Sequence, residues 1–306
     1  MTYNFNNVAD AYGINNVPLS KIYGSGDLLL WEKNSVTPPD PDDYSRQPLG
    51  FEFLEGGTWY WRGIHTSESP NWNQTIYYKL NDGDWTPVNS WDNTIVNVQA
   101  GDKMKVKGNL ESCCNPNHNR ITYNKFSGTA KYNVYGNIMS LLYGDTFINV
   151  NVLPTRDTFY LLFNDTNVVD ASNLILPATV LTAGCYMGMF RNCHYLIAAP
   201  NLPATTLAGN CYEEMFYNCS ELTTAPDLLA IQLQPYCYFE MFTLCTKLNY
   251  IKCLARNLPS VYSEWVTWDW VSSVAANGTF VKSAGSNIWS YGANGIPRGW
   301  TVVNAS

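Results

Sequence analysis

Three histidines, nine cysteines and a few clustered carboxylates are the residues in this sequence that could do chemistry. His65, His118 and His194 stand in no HExxH-type spacing, and the chain has neither a G-x-S-x-G nucleophile turn nor a phosphate-binding loop. Cys113 and Cys114 with His118 come nearest to a metal cluster. Asn115, Pro116, Asn117 and Asn119 beside them are loop formers, so the stretch reads as a structural loop. Glu213 and Glu214 are adjacent, but a glycoside-hydrolysing pair needs surroundings that drive two pKa values apart. Nothing local does so, and the pair reads as a solvated face. The expectation is therefore a chain with no catalytic residue, no metal, no cofactor and no enzymatic activity.

Aromatic side chains offer a different chemistry. Trp59 and Trp61 fall on one strand face, and Trp265, Trp268 and Trp270 crowd one short segment. Flat rings stack on the faces of sugars while nearby Asn and Asp bond hydroxyls, which makes these five the candidate binding residues. Most such residues are expected to be buried instead, since aromatic rings dominate core energetics. For Trp265, Trp268 and Trp270 the competing role would be to cover the open end of a repeat array.

The composition agrees with recognition by neutral surfaces. The 306 residues carry 14% charged and 14% aromatic side chains, 34 Asn, and a net charge of -7 with only 18 Lys and Arg. That balance argues against nucleic-acid binding through phosphate neutralisation. A hydrophobic content of 46% excludes a disordered chain. The first residues have no basic stretch followed by an apolar core, so export by a signal peptide is not expected. No run of 18 apolar residues occurs, so no membrane insertion is expected.

Self-comparison shows what must position these residues. Cys185, Cys211 and Cys237 are 26 residues apart, and so are Cys193, Cys219 and Cys245. Met189, Met215 and Met241 keep the same step, as do Phe190, Phe216 and Phe242, and Leu196, Leu222 and Leu248. An earlier, degenerate copy shows in Tyr160, Leu162, Phe163 and Val169, with Thr166 where the second Cys would fall. Such a period predicts a solenoid whose coils must stack to bury their apolar faces. Cys211, Met215 and Cys219 at i, i+4 and i+8 predict one helical face, with Cys and Met as pliant filling between coils. The Cys are expected to be reduced and buried, and Cys253 reads as a continuation of their series.

The run M-F-x-x-C-x-x-L preceded by L-P-A-T-T-L resembles the BspA-type leucine-rich repeats of Bacteroidales surface proteins. It is also similar to their counterparts in virion proteins of phages infecting those bacteria, including crAss-like phages. The likeness spans roughly residues 158 to 258, in a unit longer than the family's usual one. The tail G-T-F-V-K…G-I-P-R-G-W-T-V resembles the segment that closes such arrays, and T-I-Y-Y-K-L-N-D-G-D-W resembles the β-domain that precedes them. The resemblance implies recognition or assembly, with no chemistry of its own. It implies a head or tail fibre or decoration protein on a virion surface, assembled in the host cytoplasm and presenting the solenoid to a host-surface glycan or protein. A Bacteroidales cell-surface adhesin is the alternative, and a glycan-degrading enzyme a third reading.

The remaining chain completes a β-rich, multidomain expectation. Residues 1–33 read as a β-hairpin anchor, with Ile22 and Tyr23 pairing Leu28 to Trp31 across Gly24-Ser25-Gly26. The anchor would join other virion structural proteins, in a homo-oligomer. Residues 34–47, rich in Pro and Asp, read as a stiff linker. Residues 48–135 alternate at period two through Phe51, Phe53, Trp59, Trp61, Ile76 and Tyr78. Turns are expected at Asn81-Asp82-Gly83-Asp84 and at Gln99-Ala100-Gly101-Asp102, and the spacing suggests an immunoglobulin-like sandwich. Residues 136–258 would form the repeat solenoid and 259–306 its C-terminal cap.

Overall fold

A computed structural model describes residues 11–12, 18–19, 21–23, 29–32, 43–64, 72–92, 94–115, 120 and 122–305. The fold is β-rich, with several sheets and none closed. The chain packs as two units, residues 1–43 and 44–306.

In the first unit β1 (Ala11–Tyr12) pairs antiparallel with β2 (Pro18–Leu19), and β3 (Lys21–Tyr23) with β4 (Leu29–Glu32). Ile22 and Trp31 are in register in the second pair. The turn at Gly24-Ser25-Gly26 and the linker residues 34–42 lie outside the described residues.

Among its described residues the second unit opens with nine strands. They are β5 (Leu49–Phe53), β6 (Gly57–Ile64), β7 (Thr75–Leu80), β8 (Thr86–Asn89) and β9 (Val96–Val98), followed by β10 (Lys103–Gly108), β11 (Tyr123–Gly128), β12 (Tyr132–Asn137) and, after the single helical turn α1 (Ser140–Tyr143), β13 (Val168–Ile175). One sheet has the order β13-β12-β5-β10-β7-β8 and the other β11-β6-β9. The period-two pattern sets their buried faces: Phe51, Phe53, Trp59, Trp61, Ile76, Met104 and Val106 are all at most 1% exposed. Asn81 to Asp84 make the turn of the β7–β8 hairpin, as expected. The second expected turn, Gln99 to Asp102, instead carries the chain from one sheet to the other, because β9 and β10 belong to different sheets.

Beyond residue 156 the chain winds in stacked coils, but the segments expected to be helical are not α-helices. The N–H of Tyr186 donates to the carbonyl of Cys211 in the next coil, and those of Gly188 and Phe190 to Glu213 and Met215. The alternate residues close turns within their own coil: Met187, Met189 and Arg191 donate to Gly184, Tyr186 and Gly188, three residues back. Every fourth residue then has a positive φ, as at Gly184, Gly188 and Asn192, or Asn210, Glu214 and Asn218. A run of four-residue turns puts i, i+4 and i+8 on one face as surely as a helix does. It satisfies only half of its donors internally, so an isolated coil would leave the rest unpaired.

The two regions are one packed body, and the boundary expected after residue 135 falls inside it. β13, which belongs to the first coil, pairs parallel to β12 and then bonds Ala198 in the second coil through Ala171. On the other side, Phe126 of β11 donates to Leu162 of the first coil. Each sheet therefore runs on into one side of the stack. Residues 259–306, expected as a cap, extend the stack: β14 (Tyr250–Cys253), β15 (Thr279–Lys282) and β16 (Thr301–Asn304) pair in parallel as successive coils.

Candidate binding surface

The interior of the stack is settled by two aromatic columns and two thiol columns. Phe163, Phe190, Phe216 and Phe242 lie face to face with ring centroids 5.2 to 5.7 Å apart and planes within 6°. Phe159, Tyr186, Tyr212 and Tyr238 form a second column. These centroid separations lie in the favourable range for aromatic pairs. Both columns end on Trp270, which contacts Tyr238 at 5.9 Å and Phe242 at 6.2 Å and is itself covered by Trp289 at 5.4 Å. At the other end Phe163 meets Phe126, and Phe126 meets Phe51, so the column is continuous with the core between the sheets.

All fifteen repeat residues are fully buried: Cys185, Met189, Phe190, Cys193, Leu196, Cys211, Met215, Phe216, Cys219, Leu222, Cys237, Met241, Phe242, Cys245 and Leu248. The second Cys of each coil donates its thiol to a Phe carbonyl one coil back: Cys193 to Phe163 (3.1 Å), Cys219 to Phe190 (3.1 Å), Cys245 to Phe216 (3.0 Å). Thr166 holds this column in the first coil, where its hydroxyl also bonds the Phe163 carbonyl. The first coil is offset by one residue, so Phe159, not Tyr160, stacks on Tyr186, and Tyr160 turns outward against Tyr123. All nine Cys are free thiols. Burial pushes the thiols of Cys193, Cys211, Cys245 and Cys253 up to about 12, which keeps them protonated and unreactive.

Three of the five candidate tryptophans take the competing role, burial, and are not available to a ligand. Trp59 and Trp61 are 1% exposed, packed on Phe126 between the sheets, and Trp270 is fully enclosed by the aromatic columns. The same area that would stack on a sugar is committed to the core. Cys113 and Cys114 are likewise buried, and His118 lies outside the described residues. Among the described residues no group of three or more His, Cys, Asp or Glu side chains is placed to hold a metal ion.

Trp265 and Trp268 remain, and the structure adds Tyr236, Phe239 and Tyr262 to them. Tyr236 stacks on Trp265 at 6.1 Å and 17°, Phe239 and Tyr262 flank Tyr236, and Trp268 leans on Trp265 at 5.0 Å. Trp268 is 38% and Tyr262 56% exposed, and with the half-buried Tyr236, Phe239 and Trp265 they form a contiguous platform on the turn side of the stack. Tyr236 and Phe239 stand 26 residues after Asn210 and Glu213, so the same outward positions are polar one coil earlier. Comparing the outward columns as well as the invariant ones would have found them. Glu213 is half-buried, contrary to the solvated face expected of it. Burial raises its carboxyl pKa while a hydrogen bond from the Asn210 side-chain amide opposes the rise. Glu214 is held by Arg191 at 2.9 Å. Burial, and then the charges of Glu214 and Asp269, raise Glu240 as well.

No protein family, curated protein or solved structure matches this chain. No helix among the described residues is long and apolar enough to cross a membrane.

Proposed function

We propose that the chain is a non-enzymatic adhesive protein that binds neutral glycans on the aromatic platform of its stacked coils. The observation that carries this reading is the contiguous set Tyr236, Phe239, Tyr262, Trp265 and Trp268, in which Tyr262 and Trp268 are exposed and the other three half-buried. Such rings offer apolar faces to the C–H faces of a pyranose, and the half-buried Glu213 and Asn210 one coil away offer acceptors and donors to hydroxyls. A coil stack with a continuous aromatic interior is rigid, which lowers the ordering cost of binding.

Within the same proposal, the paired sheets are an immunoglobulin-like sandwich, the coils a leucine-rich-repeat solenoid, and the molecule a head or tail fibre or decoration protein of a Bacteroidales phage virion. The repeat's sequence resemblance supports that placement. The experiment is a binding screen against neutral capsular and mucin-type glycans, run with the wild-type chain and with Trp268→Ala and Tyr262→Ala. Binding lost in both variants at unchanged melting temperature supports the platform. Binding that survives both substitutions, or reducing ends appearing in the glycan, would overturn the reading.

A further inference from the structure

The outer face of the six-stranded sheet carries a charge pattern that the aromatic platform does not account for. Four of the chain's 18 Lys and Arg stand there on two neighbouring strands: Lys79 on β7, and Lys103, Lys105 and Lys107 on β10. They are outward because Ile76, Met104 and Val106 between them are buried. Glu52 pairs with Lys103 at 3.3 Å, and Asp145 holds Lys107 at 2.7 Å. Lys79 and Lys105 have no ion-pair partner among the described residues, and they sit directly opposite each other in the ladder. The acidic turn residues Asp82 and Asp84 come after the end of β7. Like charges directly opposite across two strands destabilise a sheet, and a neutral residue at either position would remove that cost. In a protein with a net charge of -7, the arrangement is a local reversal of sign.

At the end of this row is a concavity of about 340 Å³ lined by Tyr77, Trp85, Lys107, Asn109 and Asp145. Tyr77 is the cross-strand neighbour of Lys107 and is 42% exposed. The Lys107 ammonium lies 4.4 Å from the centre of the Trp85 ring while bonded to both oxygens of Asp145, so its charge is spent internally and it braces the wall. Asn109 supplies an amide at the rim. The volume is at the lower end for small-ligand sites and suits a single sugar ring.

We propose that this face binds an acidic polysaccharide, one carrying carboxylates on its sugar rings. Carboxylates lie along Lys105 and Lys79, and one ring enters the concavity between Tyr77 and Trp85. The complementarity is of charge, two uncompensated ammonium groups against a chain of spaced anions, with an aromatic pocket to register the sugar. A nucleic acid is disfavoured because its dense phosphates would meet, among the described residues of this face, two unpaired lysines on a molecule of the same overall sign.

The test is calorimetric or surface binding of polygalacturonate to the full chain at low and at higher ionic strength. Neutral dextran, dextran sulfate and single-stranded oligo(dT) are run beside it. Polygalacturonate is expected to bind and to weaken as salt rises, and dextran is not. The double variant Lys79→Gln, Lys105→Gln should bind about tenfold or more weakly, and should melt at the same or a higher temperature because the opposed charges are gone. Trp85→Ala should also weaken binding, whereas Trp268→Ala should leave it unchanged, which separates this face from the platform. No binding at low ionic strength, undiminished binding by the double variant, or a preference for dextran sulfate or oligo(dT) over polygalacturonate would overturn the proposal.

Discussion

The thiol of Cys219 donates to the main-chain carbonyl of Phe190, 3.1 Å away and one coil earlier. The same carbonyl also accepts the N–H of Cys193, so it is doubly bonded, once within its coil and once from the next. A side chain thus joins the coils alongside the main-chain ladder. Cys219→Ala removes both the bond and the buried sulfur and should cost about 2 kcal/mol. Cys219→Ser keeps a donor and should cost about half as much. Urea unfolding of the two variants decides it: equal losses would mean that the thiol only fills space.

Buried thiols also set a pH limit. Cys193, Cys211, Cys245 and Cys253 have pKa values near 12 in the fold, against 9.0 for an ordinary thiol. Between those values the unfolded chain has released protons that the native one still holds, so stability falls as pH rises. It is fully present below pH 9, and each such thiol removes about 1.4 kcal/mol per pH unit above it. The urea midpoint should be flat from neutrality to about pH 9 and drop steeply by about pH 10. A midpoint unchanged to about pH 11 would contradict the burial of these groups. Iodoacetamide at neutral pH should label none of the four in the native protein and all of them in urea.

The four-residue turns make a separate prediction about residue type. Gly188 has φ +61°, and a Cβ there would stand 2.4 Å from Cδ2 of Leu161 in the preceding coil. Gly188→Val should cost about 2 kcal/mol or more, from left-handed backbone strain and from the clash. Glu240 occupies the matching left-handed position two coils on, with φ +50°, where Asn is better tolerated. Glu240→Asn should therefore stabilise by about 0.5 to 1 kcal/mol, helped by loss of repulsion from Glu214 and Asp269. Thermal melts of the two variants should move in opposite directions.

The interior of the stack was legible because its columns repeat a residue type at a fixed step, and burial on one face is what such a step encodes. A spacing of four is common to an α-helix and to a run of four-residue turns, so it does not tell one from the other. The distinction was present in Gly184, Gly188, Asn192, Asn210 and Asn218, which are the residue types that accept a positive φ. Glu214, Glu240 and Leu244 at equivalent places obscure it. Trp59, Trp61 and Trp270 suit binding by their ring chemistry and burial by their size, and local sequence does not separate the two. Which side of a strand or coil faces the core depends on partners far away in sequence, such as Phe126 for Trp61 and Gly295, whose carbonyl accepts the Trp270 indole N–H. The outward repeat columns hold the signal for Tyr236 and Phe239, whereas the opposition of Lys79 and Lys105 depends on a strand register that no local pattern sets.

The passage of both sheets into the first coil turns the molecule into a ruler with a fixed zero. Successive coils grow on an edge that the sheets already present, each by about 4.8 Å, the spacing of adjacent strands. Inserting or deleting one 26-residue unit between Leu181 and Leu233 would lengthen or shorten the molecule by that increment. It would leave the lysine face and the ring platform individually intact and change only the distance between them. Reach, for a chain built this way, is a quantity that can be inherited in steps.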